Sequence, residues 1–135
     1  KLLQKFNVGQ ASRLSPKHAA KPALMHRRDA CATIKALAHI TGGGFVDNIP
    51  RVLPRNCDVI IRKGTWGMPP IFKLIEAKGG VAEAELYQVF NMGIGMVLLV
   101  AADKTDAVMK CIRAQGQRAW VIGQVAKGRG IARVV

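Results

Sequence analysis

The chain has 135 residues, half of them hydrophobic, which suits one domain with a real core and excludes both a disordered tail and two comfortable domains. Its longest apolar run, Met96 to Ala102, falls far short of the ~20 residues that span a membrane, and no signal peptide is visible, so no membrane partner is expected. The formal charge of +13 points to an anionic partner, either nucleic acid or a phosphorylated small molecule.

Much of that charge is at the start. Lys1, Lys5, Arg13, Lys17, Lys21, Arg27 and Arg28 all precede the first acid, Asp29. A nucleic-acid reader usually interleaves stacking aromatics with its cations, but Phe6, Phe45, Phe72 and Phe90 are scattered. Nucleic acid is therefore not the expected partner, and the region reads as a solvated basic arm. Gly9, Ser12, Ser15 and Pro16 break any long helix there, while Ala23 to Ala32 can form one short helix. Residues 1–33 are accordingly set apart from a domain over residues 34–135. The chain opens on Lys1 rather than Met, which reads as a fragment or a processed product. Cys31, Cys57 and Cys111 are far apart and odd in number, with no CxxC or Cys/His pair; we expect idle thiols in a reducing cytoplasm and no metal site.

From Ile34 the pattern sharpens. Ile34, Ala36, Ala38 and Ile40 alternate with Lys35, Leu37 and His39, as in a strand. The run Thr41-Gly42-Gly43-Gly44 then turns the chain into a short helical turn started by Pro50 and ending at Leu53, with Asn48 as a potential cap. Cys57 to Arg62 predicts a second strand. Pro69-Pro70 opens a helix through Ile71, Phe72, Leu74 and Ile75, stopped by Gly79-Gly80. Val81 to Phe90 predicts another helix, with Glu83 and Glu85 near its N-terminus but on different faces, which argues against a paired-carboxylate site. Met96 to Ala101 is apolar throughout, a strand covered on both faces. Asp103 is the expected cap of a helix over Thr105 to Gln115, ended by Gly116. Ala119 to Val125 predicts a strand, and a turn at Lys127-Gly128-Arg129-Gly130 returns Ile131 to Val135 as its hairpin partner. The fold class is thus α/β, a mixed β-sheet covered by helices.

The glycine run carries the chemistry. Glycines let backbone N–H groups approach an oxyanion, a helix N-terminus adds donors and partial positive charge, and Arg51 adds a cation able to grip phosphate bidentately. A tight turn whose glycines serve only backbone geometry is the competing account. His39, just before the turn, is either an acid or base for a bound ligand or a histidine satisfied by neighbouring backbone. Thr41 can donate its hydroxyl to a phosphate or cap the turn. Asn91 with Gly93 and Gly95 forms a second polar spot, or only the entry to a buried strand. Trp66 and Trp120 read as core or rim residues. No Walker loop, nucleophile elbow or Ser/His/Asp arrangement is present.

Ala38-His39-Ile40-Thr41-Gly42-Gly43-Gly44-Phe45 followed by Asn48-Ile49-Pro50-Arg51-Val52-Leu53-Pro54 resembles the aminoimidazole ribonucleotide synthetase family, the phosphoribosylformylglycinamidine cyclo-ligases. Trp66, Pro70-Ile71-Phe72, Gly80-Val81, Glu85-Leu86-Tyr87, Phe90 to Met96 and Ala119 to Gly123 continue the likeness in register, over about residues 34 to 126. It matches the carboxy-terminal half of such enzymes. The resemblance implies a three-layer carboxy-terminal domain and an ATP-dependent ligase of purine biosynthesis. In that reaction ATP activates the formyl oxygen of formylglycinamidine ribonucleotide, an internal nitrogen attacks, and the imidazole ring closes. It further implies ATP and Mg2+ bound mainly by the amino-terminal half, a homodimer in the full-length enzyme, a cytoplasmic location, and a fragment inactive by itself. Carried over, His39 is the catalytic candidate, and Thr41, Gly42, Gly43, Gly44, Asn48, Arg51 and Asn91 hold the phosphorylated ribonucleotide. The family's Pro-Thr-x-x-Tyr-Val-Lys pattern has no counterpart, His26-Arg27-Arg28-Asp29-Ala30-Cys31 standing in its place, and Asp47 stands where the family commonly has Glu. The alternative is a basic phosphate- or nucleic-acid-binding module on the same scaffold.

Overall fold

The computed structural model describes residues 6–9 and 34–135. The expected short helix over Ala23 to Ala32, and nearly all of the basic arm, lie outside the described residues. The alternation that begins at Ile34 builds β2 (Ile34–His39), whose even-numbered residues face inward while Lys35, Leu37 and His39 are exposed. The glycine turn leads into α1 (Gly44–Asn48) and a 3₁₀ turn at Pro50–Val52. Strand β3 (Cys57–Ile61) follows, then α2 (Pro70–Gly79), α3 (Glu83–Val89), β4 (Met96–Ala101), α4 (Thr105–Ala114), β5 (Gly123–Lys127) and β6 (Ala132–Val134). Gly80 ends α2 in the left-handed conformation, φ 60°, its N–H donating to the Glu76 carbonyl, as the glycine pair predicted.

Among the described residues, six strands, with β1 at Phe6–Gly9, form one sheet in the order β2-β4-β1-β5-β3-β6. Strand β1 lies in the middle, antiparallel to both β4 and β5, although the sequence showed no strand there. The expected terminal hairpin is corrected. Strand β6 pairs with β3, in parallel, and the sheet is mixed for that reason. Strand β5 also starts later than Ala119, because only Gly123 onward is laddered against β3. Asp103 is no cap either. It lies inside a 3₁₀ turn, Ala102–Lys104, 3.5 Å from the Lys104 ammonium, and no side chain caps α4.

Asp58 explains the change of partner at the C-terminal end. Its buried carboxylate accepts the N–H groups of Arg129, Gly130 and Ile131 through Oδ1 at 2.7, 3.1 and 3.1 Å, and pairs with Arg133 through Oδ2 at 2.7 Å. Those bonds bring the Gly128–Gly130 bend across the start of β3, where a hairpin would have folded it back on β5. A Cβ on Gly128 would overlap the carboxylate, so only glycine fits that approach. The Arg129 and Ile131 backbone bonds hold the Asp58 carboxyl at a pKa of about 2 against an ordinary 3.8; burial opposes them and Arg133 assists.

One face of the sheet carries the main core. Ala38, Val97, Leu99, Val125, Val59, Ile61 and Ala132 meet Phe45, Ile49, Phe72, Leu86, Tyr87, Met92, Ile94 and Ile122. Leu98 and Val100 point to the opposite face and are buried there too, as a strand covered on both faces requires. A five-residue helix such as α1 has no stability of its own. Phe45 and Ile49 hold it, both fully buried, each contributing about 1.5–3 kcal/mol of burial. Phe45 is in ring contact with Trp66 and Tyr87, centroids 5.7 and 6.3 Å apart, and the Trp66 indole N–H donates to the Met92 carbonyl at 3.0 Å. Among the described residues, no helix is long and apolar enough to cross a membrane.

Candidate functional site

The glycine turn sits where β2 ends and β4 begins, since the Ile40 N–H donates to the Gly95 carbonyl at 2.9 Å. The structure therefore brings together the two glycine-rich stretches that the sequence singled out. Gly43 and Gly44 adopt left-handed backbone, φ 92° and 52°. Gly44 is seated so closely on α3 that a Cβ there would overlap the Tyr87 carbonyl oxygen.

Asn48 organises the turn from inside, and not as the expected cap. Its Nδ2 donates to the carbonyls of Gly44 at 2.8 Å and Gly42 at 3.2 Å, with a longer contact of 3.4 Å to that of Thr41. The Thr41 hydroxyl donates in turn to Asn48 Oδ1 at 3.4 Å. The side chain is buried, 5% exposed, so its amide is fully committed to these bonds. In a trans peptide the C=O and N–H of one unit point in opposite directions. Carbonyls 41 and 42 turned in toward Asn48 thus turn the N–H groups of Gly42 and Gly43 outward. The internal bonds of the turn run from Gly44 N–H to the Thr41 carbonyl and from Asp47 N–H to the Gly43 carbonyl; among the described residues they leave the Gly42 and Gly43 N–H groups unused. Gly42 is exposed and Gly43 half-buried, so both donors face accessible space. Such outward donors can hold an oxyanion.

Asn91 has a comparable internal role. Its Oδ1 accepts the Gly93 N–H at 3.0 Å and its carbonyl accepts that of Ile94 at 2.8 Å. Gly93, φ 89°, abuts the Pro69 ring, where a Cβ would not fit. His39 is exposed at the end of β2, on the sheet face opposite Ala38 and Ile40. Arg51 is exposed on the 3₁₀ turn beyond α1.

A cavity of about 570 Å³ adjoins the turn, lined by Gly43, Asp47, Ala82, Ala84, Glu85, Gln88 and Val89. Of the sequence-selected residues, only Gly43 lines it. Asp47, Glu85 and Gln88 were not selected. Helical spacing carried part of that signal, since Glu85, Gln88 and Val89 share a face of α3. Glu83 points elsewhere and pairs with Lys63 at 2.7 Å, consistent with the two glutamates lying on different faces.

The family model described as AIR synthase related protein, C-terminal domain, matches residues 3–135. The chain is 46% identical over 97 residues to a phosphoribosylformylglycinamidine cyclo-ligase of Syntrophus aciditrophicus (strain SB), covering 72% of this chain and 28% of that protein. It is 50% identical over 95 residues to the protein of that name from Caldicellulosiruptor bescii, covering 70% and 28%. It thus spans somewhat over a quarter of the length of these relatives. Among solved structures, thiamine-monophosphate kinase from Stenotrophomonas maltophilia K279a superposes with a TM-score of 0.56 at 16% identity over 76% of this chain and 32% of that one. E. coli HypE, a hydrogenase maturation protein, does so at 0.57 and 21% over 77% and 32%; both likenesses are of fold. With the family model matched almost end to end over a mixed α/β sheet, the chain belongs to the AIR synthase related family and corresponds to its C-terminal domain.

Proposed function

We propose that the chain is the carboxy-terminal part of an ATP-dependent cyclo-ligase that closes the imidazole ring of formylglycinamidine ribonucleotide in purine biosynthesis, in the cytoplasm. The observation that carries the reading is the outward pair of N–H donors at Gly42 and Gly43, in a chain 46–50% identical over 70–72% of its length to proteins bearing that enzyme's name. The turn receives the phosphate of the ribonucleotide. Arg51 adds a cation, and Thr41 completes the grip by turning its hydroxyl from the long 3.4 Å contact with Asn48 to the phosphate, while Asn48 and Asn91 hold the two loops in shape. His39 stands exposed at the strand end, available as an acid or base to the reacting end of the ligand. Residues 34–135 carry this site, and residues 1–33 form a basic leading segment.

ATP and magnesium fall to the amino-terminal half, and the two halves enclose the cleft in a homodimer. ATP, when bound, supplies the activation of the formyl oxygen. The residues of this chain orient the ribonucleotide against it by positioning and charge stabilisation.

A chimera joining this chain to the amino-terminal half of the C. bescii relative tests the reading. The chimera is expected to release ADP in step with ring closure, and the chain alone to show no turnover. A folded chimera without ring closure, or turnover by the chain alone, overturns the proposal.

A further inference from the structure

We propose that Trp66 is a positioning residue for the anion site: it joins the loop over residues 91–95 to α1 and so fixes the direction in which the Gly42 and Gly43 N–H groups point. The inference rests on the phosphate reading of the glycine turn above. The loop over residues 91–95 is strained. The Ile94 N–H donates to the Asn91 carbonyl at 2.8 Å, and both residues between them have positive φ, 50° at Met92 and 89° at Gly93. That is the type I′ pattern, whose central positions suit Gly, Asn and Asp. Gly93 fits it and Met92 does not; among the described residues Met92 is the one non-glycine with left-handed backbone. Its side chain is fully buried in the core, which accounts for a large apolar residue at that position. Strained backbone persists only where its surroundings over-determine it, and such places cluster at functional sites.

Trp66 is what holds Met92 from outside its own loop. It is buried between β3 and α2 in the chain, and its indole N–H donates to the Met92 carbonyl at 3.0 Å. The same ring packs edge-on against Phe45, with centroids 5.7 Å apart and planes at 61°. Phe45 directly follows Gly44, so Trp66 touches the exit of the glycine turn. The strained loop holds the entrance, since the Gly95 carbonyl accepts the Ile40 N–H at 2.9 Å, one residue before Thr41. One rigid side chain therefore joins both ends of the turn, the exit by its ring and the entrance through Met92. A turn gripped at entrance and exit has little freedom to rotate its peptide units. Its two donors then stay outward before any ligand arrives, and binding loses less to ordering.

Titration of the chain with ribose 5-phosphate, followed by NMR of the backbone amides, tests the inference. The parent is expected to bind and to shift its Gly42 and Gly43 amide resonances. Trp66→Phe keeps a ring against Phe45 and loses the N–H. It is expected to stay folded by circular dichroism, to show those two resonances displaced before ligand is added, and to lose about fivefold in affinity, the net worth of one hydrogen bond. Should Trp66→Phe not fold, benzothienylalanine at position 66, shaped like tryptophan with sulfur in place of the N–H, is expected to give the same result. Val59→Ala, in the core on β3, is expected to lower the thermal midpoint and leave the affinity unchanged, which separates positioning from loss of stability. Affinity within about twofold of the parent in the folded position-66 variant overturns the inference and leaves the phosphate reading intact, because Asn48 then suffices to orient the turn. Equal affinity losses in that variant and in Val59→Ala overturn it too. No binding by the parent overturns the phosphate reading and the inference with it.

Discussion

Gly44→Ala and Gly42→Ala are one residue type at two places in one turn, and the structure separates their consequences. At Gly44 the backbone has φ 52°, where an L side chain costs about 1–2 kcal/mol. A Cβ there would also overlap the Tyr87 carbonyl oxygen and come 2.9 Å from that of Phe90. Both oxygens are backbone, unable to swing aside as a side chain would, so α1 must lift off α3 at a further cost of about 1–3 kcal/mol. The sum is about 3 kcal/mol. With a urea m-value of about 1.5 kcal/mol per M, the unfolding midpoint falls by about 2 M. At Gly42 the φ is not left-handed and no heavy atom lies within 4 Å of the place a Cβ would take, so Gly42→Ala is expected to stay within about 0.5 kcal/mol of the parent. Gly42→Ala instead tests function, since its methyl group stands beside the outward donors and is expected to weaken ribose 5-phosphate binding in a fully folded protein. Equal stability losses in the two variants, measured by urea titration with fluorescence or circular dichroism, would refute the account of how the turn is seated.

Two further outcomes follow from the buried polar groups. Asp58 has a folded pKa of about 2, below its ordinary 3.8, so its ionised form stabilises the fold fully above about pH 4 and progressively less as the pH falls toward 2. Asp58→Asn is expected to lower the thermal midpoint at pH 7 and to converge with the parent near pH 2; a gap that stays constant across that range contradicts the assignment. Asn48→Ala leaves the Gly44 and Gly42 carbonyls without their donor and is expected to cost about 1–3 kcal/mol, whereas Asn48→Asp adds an acceptor facing acceptors and is expected to cost more at pH 7, a ranking checked by thermal melts.

The elements that could be read in advance were those whose signal is local. Strand β4 has the bounds its apolar run predicted, and α2 runs from its proline start to its glycine stop because those residues punctuate the chain by their own backbone preferences. Strand β1 gave no such signal. It is four residues long, contains Asn7 and Gly9, and owes its place to β4 and β5, which lie far along the chain. Strand β6 misled for a related reason: Lys127 to Gly130 has hairpin chemistry, but a carboxylate on β3 claims the N–H groups of the bend. The candidate site divides similarly. Its glycine turn is written in consecutive residues, whereas the cavity wall needs Asp47 and Glu85 from two helices that only the folded backbone brings face to face.

The turn thus presents opposite signs to its surroundings, and electrostatics limits how a ligand can use it. A phosphate oxygen within 4 Å of the Asp47 carboxylate meets a repulsion of about 1 kcal/mol in water and about 4 kcal/mol near a protein surface. A charged hydrogen bond from one N–H returns about 1.5–3 kcal/mol. A phosphate gripped from the cavity side would therefore lose much of what the Gly43 donor offers. Gripped from the exposed Thr41–Gly42 side, it keeps the Gly42 donor, while the Asp47 carboxylate packed against Gly43 limits what the Gly43 donor adds. An anion is therefore favoured only on the Thr41–Gly42 side of the turn, and the charge of Asp47 and Glu85 closes the cavity to it.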